Sequence, residues 1–532
     1  MPVYDALYDY QKELRHVLVR HEQAASHAAE GHARINGEPG VCLATSGPGA
    51  TNLVTGIADA MLDSVPLVCI TGQVSSAVLG TDAFQETDII SITIPITKWN
   101  FQVTKAEEIP EVLAKAFYIA KSGRPGPVLI DVTKDAQINK FDYKYKKREV
   151  IESYNPKSKL DLKAIDQAAD LIKKAERPYL LIGHGILISQ AQKELKEFVE
   201  KSGIPVGSTL HGLSAFPTAH PLYTGMLGMH GNYGPNLLSN KADLIIAIGM
   251  RFDDRVTGDP TRYLNDAKVV HIEVDPAEIN KIVQVDVPII ADAKEAIIEL
   301  SKKVKENSYP DWLAEFEKCS QIESEKVINS GINPTDDKLK MPEAVNKLSE
   351  LTNGEAIVVA DVGQHQMMAA RYYKFKNPDS WVTSGGLGTM GFALPASMGC
   401  QLAAPDKTVL AIIGDGSFQM NIQELATISQ EKMPVKIIIM NNNYLGMVRQ
   451  WQELFFENRY SFVELDNPNF VKVAEGFGIK ASSVQKRENL EKSIKEMLDF
   501  DGPYLLEIVL EKEENVFPMV PAGASVSDIR LE

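Results

Sequence analysis

The chain reads as an α/β protein built from three doubly wound, mostly parallel-sheet domains. Three observations predict this fold class. Short, continuously apolar runs recur along the sequence, the pattern of strands buried on both faces. Helix-length segments separate these runs, so successive strands connect through crossovers and run parallel. A length of 532 residues exceeds what one hydrophobic core organises, which points to three domains or so.

Taken in order, the first block (1–145) has strands predicted at 40–44 (GVCLA), 67–71 (LVCIT) and 128–132 (VLIDV). The charged, irregular stretch 141–159 reads as a linker. A second block (160–300) holds strands at 179–183 (YLLIG), 244–249 (LIIAIG) and 269–274 (VVHIEV), and the charged stretch 301–338 bounds it. The third block (340–532) opens on 356–360 (AIVVA). It then carries the most informative unit of the chain: strand 409–414 (VLAIIG), Gly414-Asp415-Gly416, a helical segment 421–431, strand 435–440 (VKIIIM) and Asn441-Asn442-Asn443. In this β-α-β unit Asp415 and Asn442 emerge at the carboxyl ends of neighbouring strands, the crevice where open α/β sheets bind ligands. A carboxylate, an amide oxygen and loop carbonyls suit a hard cation such as Mg²⁺ carrying phosphate oxygens.

Composition excludes several classes. A net charge of −16 argues against a nucleic-acid or anionic-membrane partner, either of which needs a basic face. The four cysteines (Cys42, Cys69, Cys319, Cys400) lack CxxC spacing and read as reduced thiols, not as disulfides or a metal site. No apolar run reaches membrane-spanning length and the N-terminus is too polar for a signal peptide, so a cytoplasmic location is expected.

Further positions could carry chemistry. Glu22, in Arg20-His21-Glu22-Gln23, follows a short apolar stretch and precedes an alanine-rich helical segment, a predicted strand-to-helix junction. There it either points into a crevice or is a solvated first-turn glutamate favoured by the helix dipole. Ser46-Gly47-Pro48-Gly49-Ala50 is either an anion cradle at a helix start or a ligand-free tight turn. The loop Arg251-Phe252-Asp253-Asp254-Arg255 suits bidentate anion contacts or is a surface charge cluster, and the second block has no G-x-G-x-x-G fingerprint.

The GDG…NN spacing resembles that of thiamin-diphosphate (ThDP) enzymes. The segments RHEQ, ATSGPGATN, GTDAFQE, MLGMHG, RFDDRVTG, VGQHQM, SGGLGTMGFALPA, GDGSFQM and NNNYLGMVRQWQ together resemble the acetohydroxyacid synthase family, over nearly the whole chain. The resemblance implies decarboxylation of pyruvate on ThDP and transfer of the two-carbon unit to a second 2-keto acid, pyruvate or 2-ketobutyrate, in branched-chain amino-acid synthesis. It implies Glu22 as the carboxylate that hydrogen-bonds the aminopyrimidine, and Asp415, Asn442 and the Tyr444 carbonyl as Mg²⁺ ligands. Gly363, Gln364, His365, Gly414, Gly416, Ser417 and Met447 would line the cofactor, with Gly388 near the pyrimidine and Met390 beneath the bend of its V. FAD would contact Gly183, Arg251, Asp253, Arg255, Glu273 and Asp292. Phe84, Gln85 and Lys134 match residues around the substrate channel, and Val448 and Trp451 match substrate positions. Because Glu22 and the Mg²⁺ unit lie in different domains, the family's homodimer or dimer of dimers is implied, as is a small regulatory subunit.

The resemblance also sets one expectation against the chain. Residues 1–7 match a helix that in the family follows a first helix, a first strand and a GYPGG turn, so the first domain is expected to be N-terminally truncated. Alternative readings are another ThDP enzyme, such as a pyruvate oxidase or a catabolic acetolactate synthase, or a catalytically silent truncated subunit.

Overall fold

The computed structural model describes residues 1–145, 147 and 150–532. Three parallel sheets follow one another along the chain. The first contains β1 (Gly40–Ala44), β2 (Leu67–Gln73), β3 (Trp99–Val103) and β4 (Pro127–Thr133) in the order β1-β2-β4-β3. The second contains β5 (Pro178–Ile182), β6 (Val206–Ser208), β7 (Tyr223–Met226), β8 (Leu244–Ile248), β9 (Lys268–Glu273) and β10 (Val287–Ile290), ordered β10-β9-β8-β5-β6-β7. The third contains β11 (Ile357–Ala360), β12 (Trp381–Thr383), β13 (Val409–Gly414), β14 (Lys436–Asn441), β15 (Lys480–Val484) and β16 (Tyr504–Val509), ordered β12-β11-β13-β14-β16-β15.

The apolar runs are continuous because helices cover both faces of each sheet. In the third sheet Val358, Ala360, Leu410, Ile412, Ile438 and Met440 belong to one core. The intervening Ile357, Val359, Ala411, Ile413, Ile437 and Ile439 belong to the core on the opposite face. The period-2 alternation of side chains thus divides one apolar run between two cores. The predicted neighbours β13 and β14 pair in parallel with Gly414 opposite Met440.

The strands without a sequence signal are mostly edges. β3, β7, β10, β12 and β15 each end a sheet. Edge strands are short or polar, as in WNFQV and KASSV, because one side makes no ladder. β16 is interior but carries Glu507, which accepts a hydrogen bond from Asn441 Nδ2 at 2.7 Å.

One further expectation changes. No strand precedes Glu22: residues 15–19 are irregular, and Val17 and Val19 pack on the third-domain core instead of pairing in a sheet. The helix expected over residues 1–7 forms at Pro2–Asp9, and the first sheet holds four strands where the other two hold six. The predicted linker 141–159 includes positions 146, 148 and 149, which lie outside the described residues.

The first and third domains meet through two helices, Glu22–Asn36 and Ala393–Ala403, whose backbones touch. A Cβ on Gly399 would lie 1.8 Å from the Ala28 carbonyl oxygen, and one on Gly31 would lie 2.1 Å from that of Ala396. Only glycine permits this approach at either position. Among the described residues no helix is long and apolar enough to cross a membrane.

Candidate active site

Three strands of the third sheet deliver their carboxyl ends to one cleft. β11 leads through Gly363 into the helix Gln364–Tyr372, β13 into Asp415, and β14 through the asparagines into the helix Gly446–Phe455. The cleft is lined by Gly363, Gln364, His365, Met390, Gly414, Asp415, Gly416, Ser417, Asn442, Tyr444, Met447 and Val448. Twelve positions named from sequence therefore share one crevice.

Its polar atoms are held in place. Asn467 Nδ2 donates to Asp415 Oδ2 at 2.6 Å and also lies 3.1 Å from the side-chain oxygens of Asn441 and Asn443. Burial pushes the Asp415 carboxyl up to about 6, against these donors. Asn442 Oδ1 accepts the Tyr444 N–H at 3.3 Å, and its amide donates to Gln364 Oε1 at 3.3 Å. Gln364 in turn donates to Gln450 Oε1 and to the Glu514 carbonyl. His365 is buried, its Nε2 has no partner, and burial lowers it to about 3, so the ring is neutral. The glycines keep the cleft open: a Cβ on Gly414 would lie 2.7 Å from the His365 ring, and one on Gly446 would lie 2.1 Å from Gln364 Oε1.

The loop from Ser384 to Gly391 forms one wall through Met390. Asp361, directly after β11, accepts from the N–H groups of Val362, Gly391 and Ala393 at 2.8–2.9 Å. Gly388 has φ +71°, and a Cβ there meets nothing closer than 3.8 Å. Its requirement is therefore conformational. Sequence reasoning passed over Asp361 and Asn467. Asp361 has the same strand-end placement as Asp415 and could have been found by it; Asn467 sits 52 residues from its partner with no local signal.

Glu22 is elsewhere. It opens the helix Glu22–Asn36, its Oε2 accepts from Asn52 Nδ2 at 3.0 Å, and it lines a separate cavity beside β1. The preceding backbone is tied to the third domain: the N–H groups of Arg20 and His21 donate to Glu424 Oε1 at 3.0 and 3.1 Å. The Ser46–Ala50 turn reads as a helix start: Gly47, with φ +63°, leads into the helix Pro48–Asn52. Phe84 is almost fully exposed, Gln85 has φ +62°, and Lys134 is exposed at the start of Lys134–Ile138. Trp451 packs against Phe455 with the rings tilted and their centroids 5.1 Å apart.

A second cleft lies at the carboxyl ends of β5, β8 and β9, lined among others by Arg124, His184, Arg251, Asp253, Glu273 and Asp292. Gly183 and Arg255 do not line it. Gly183 packs on Gly249 and Met250, and Arg255 donates to Met229 Sδ. Asp253 caps the short helix Asp254–Thr257, accepting from the N–H groups of Arg255 and Val256. Burial raises Glu273 to about 7. Gly185 and Gly249 pack backbone to backbone, a Cβ on Gly249 lying 2.6 Å from Gly185 Cα.

Comparison with known proteins identifies the three domains. Residues 1–92, 165–300 and 361–508 match the thiamine pyrophosphate enzyme families described as N-terminal TPP binding domain, central domain and C-terminal TPP binding domain. The acetolactate synthase large subunit of Corynebacterium glutamicum is 48% identical, covering 100% of this chain and 86% of its own length. The acetolactate synthase isozyme 2 large subunit of Escherichia coli is 45% identical over 99% of this chain and 94% of its own length. A probable acetolactate synthase large subunit of Methanocaldococcus jannaschii is 47% identical over 99% and 90%.

Proposed function

Because the chain belongs to the acetolactate synthase large-subunit family of thiamine pyrophosphate enzymes, we propose that it decarboxylates pyruvate and joins the two-carbon unit to a second 2-keto acid, pyruvate or 2-ketobutyrate. The observation that carries this reading is the cleft at the ends of β11, β13 and β14. Its donors are all oxygens where a metal would sit (Asp415, Asn442, the Tyr444 carbonyl), the set a hard Mg²⁺ ion takes. The unpartnered His365 Nε2 and the glycine-lined walls leave room and a donor for a diphosphate.

ThDP, when bound, supplies the electron sink for decarboxylation. The chain's own groups bind and orient it. Asp415, Asn442 and Tyr444 hold Mg²⁺; Gly363, Gln364, His365, Gly414, Gly416, Ser417 and Met447 hold the diphosphate; Met390 supplies the apolar support and Gly388 the close backbone. Glu22 would hold a hydrogen bond to a ring nitrogen of the aminopyrimidine, favouring its imino form. Since Glu22 does not line the Asp415 cleft of its own chain, it serves the cleft of a second copy, and a homodimer is the minimal active species. Phe84, Gln85, Lys134, Val448 and Trp451 shape the substrate channel.

The second cleft is the candidate FAD site: Arg124 and Arg251 offer charge to a diphosphate, and Gly185 and Gly249 line it. Arg251, Asp253, Glu273 and Asp292 line this site, with Gly183 and Arg255 behind it. The domains are taken as 1–145, 160–300 and 340–532, with a small regulatory subunit as a further partner and the cytoplasm as the location. The test is acetolactate formation from pyruvate by the purified chain. Dependence on ThDP, Mg²⁺ and FAD together is expected. Flavin reduction in step with turnover would overturn the synthase reading in favour of an oxidase.

A further inference from the structure

The helix Val54–Asp63 places Asp59 and Asp63 four residues apart, on one face, against the Ser384–Gly391 loop of the third domain. Both carboxylates are buried. Ser384 Oγ donates to Asp59 Oδ1 at 2.6 Å and accepts the Thr389 N–H at 2.8 Å. Asp63 accepts the N–H groups of Gly385 at 3.0 Å and of Gly386 at 2.7 Å. With Asp361 fixing the far end through Gly391, the loop is held at both ends. Its apex is free, and Leu387 there is 42% exposed.

Asp63 has other partners. Arg34 Nη2 donates to its Oδ2 at 2.7 Å from the first domain. His211 Nε2 lies 3.0 Å from its Oδ1, and His184 Nδ1 lies 3.1 Å from its backbone carbonyl, both from the middle domain. The two imidazoles stack at 5.4 Å. The fit is tight: a Cβ on Gly385 would lie 2.2 Å from His211 Nε2. One carboxylate therefore joins all three domains. Asp63, His184 and His211 all line the second cleft, while the loop that Asp63 grips carries Met390 into the first.

We propose that Asp63 is a positioning residue that couples the two clefts: a flavin nucleotide seated against His184 and His211 steadies the His211–Asp63 contact, and with it the loop bearing Met390. Neither cofactor needs to touch the other. The inference rests on the functional reading above for the identity of the two ligands. Coupling between sites is reciprocal in binding, so each ligand must tighten the other by the same factor.

The experiment uses the full chain with ThDP (at fixed MgCl₂) and FAD as probes, titrated each in the absence and presence of the other. In the unaltered chain FAD should tighten ThDP binding by about 5-fold or more, with an equal reciprocal effect. In His211→Asn, where a partly exposed side chain is shortened, both ligands should still bind but the coupling should fall to within about twofold of none. Asp63→Asn, which removes the charge and keeps an acceptor for one of the two glycine amides, should behave the same way and serves if His211→Asn does not fold. Coupling retained in a folded variant overturns the proposal, as does absence of coupling in an unaltered chain that binds both ligands. An unaltered chain that binds no ThDP overturns the functional reading, and this inference with it.

Discussion

Replacing Arg371 by methionine should cost the chain about 3–5 kcal/mol, because it strands a buried carboxylate. The Arg371 guanidinium, with its side chain 0% exposed, donates from Nη2 to Glu323 Oε1 at 2.6 Å. Its Nη1 donates to the Gly231 carbonyl at 2.9 Å. Glu323 also accepts from Asn232 Nδ2 at 2.9 Å and from the Tyr233 N–H at 2.6 Å, so it clamps the 230–233 turn of the middle domain to the helix Gln364–Tyr372 of the third. Methionine keeps the apolar stem but leaves the Glu323 charge with two neutral donors in a dry site. For a cooperative unit of roughly 200 residues each kcal/mol moves Tm by about 2–4 °C, so a fall of about 6–20 °C is expected. Urea denaturation followed by intrinsic fluorescence gives the free energy directly. The double variant Arg371→Met/Glu323→Gln removes the charge and keeps an acceptor for one of the two remaining donors, and should be more stable than Arg371→Met alone. A single-variant loss below about 1 kcal/mol, or a double variant no better than the single, would refute the argument that an uncompensated charge dominates.

Other expectations concern the site and acid stability. Asp415→Ala should weaken Mg²⁺-dependent ThDP binding by at least about 100-fold, beyond the 10–100-fold typical of groups that merely support a metal ligand; unchanged affinity in a fluorescence titration would remove the metal assignment. Glu22→Gln should leave ThDP affinity nearly unchanged and lower turnover by about 10²–10⁴-fold, the usual range for a positioned acid–base group; near-normal turnover would remove its role. His230 is buried, and burial and then the Arg371 charge lower it from 6.5 to about 4. Between those values the unfolded chain binds the proton and the folded chain does not, so stability falls as pH drops through this window, by about 3 kcal/mol at its foot. His230→Gln should remove that share of the acid sensitivity, and a pH–stability profile identical to the unaltered chain's would contradict it.

The third domain was legible because its signal is local. Runs such as 409–413 and 437–440 are apolar at every position, which only a strand covered on both faces requires, and Asp415 and Asn442 follow within two residues. The strand-end rule then brings the two side chains together with no further information. Glu22 was singled out by its flanking sequence, but the strand assigned before it does not exist. Val17 and Val19 are apolar because they pack on another domain, a contact that periodicity does not encode. Edge strands such as β3 and β15 carry no run because half their surroundings are solvent or loop.

What the sequence determined by itself was therefore the fold class and the β-α-β unit with Asp415 and Asn442, which depend on residues near one another in the chain, while the resemblance to a family supplied most of the other positions in the first cleft. What the tertiary structure decided was the contacts between residues far apart in the chain, within a domain as well as between domains. Asp63 gripping Gly385 and Gly386 from 322 and 323 residues away, Asn467 holding Asp415, and Arg371 meeting Glu323 are ordinary polar residues in ordinary contexts. They become determinants only when burial removes the competing water, because a polar group out of water must find a partner or incur its full desolvation cost.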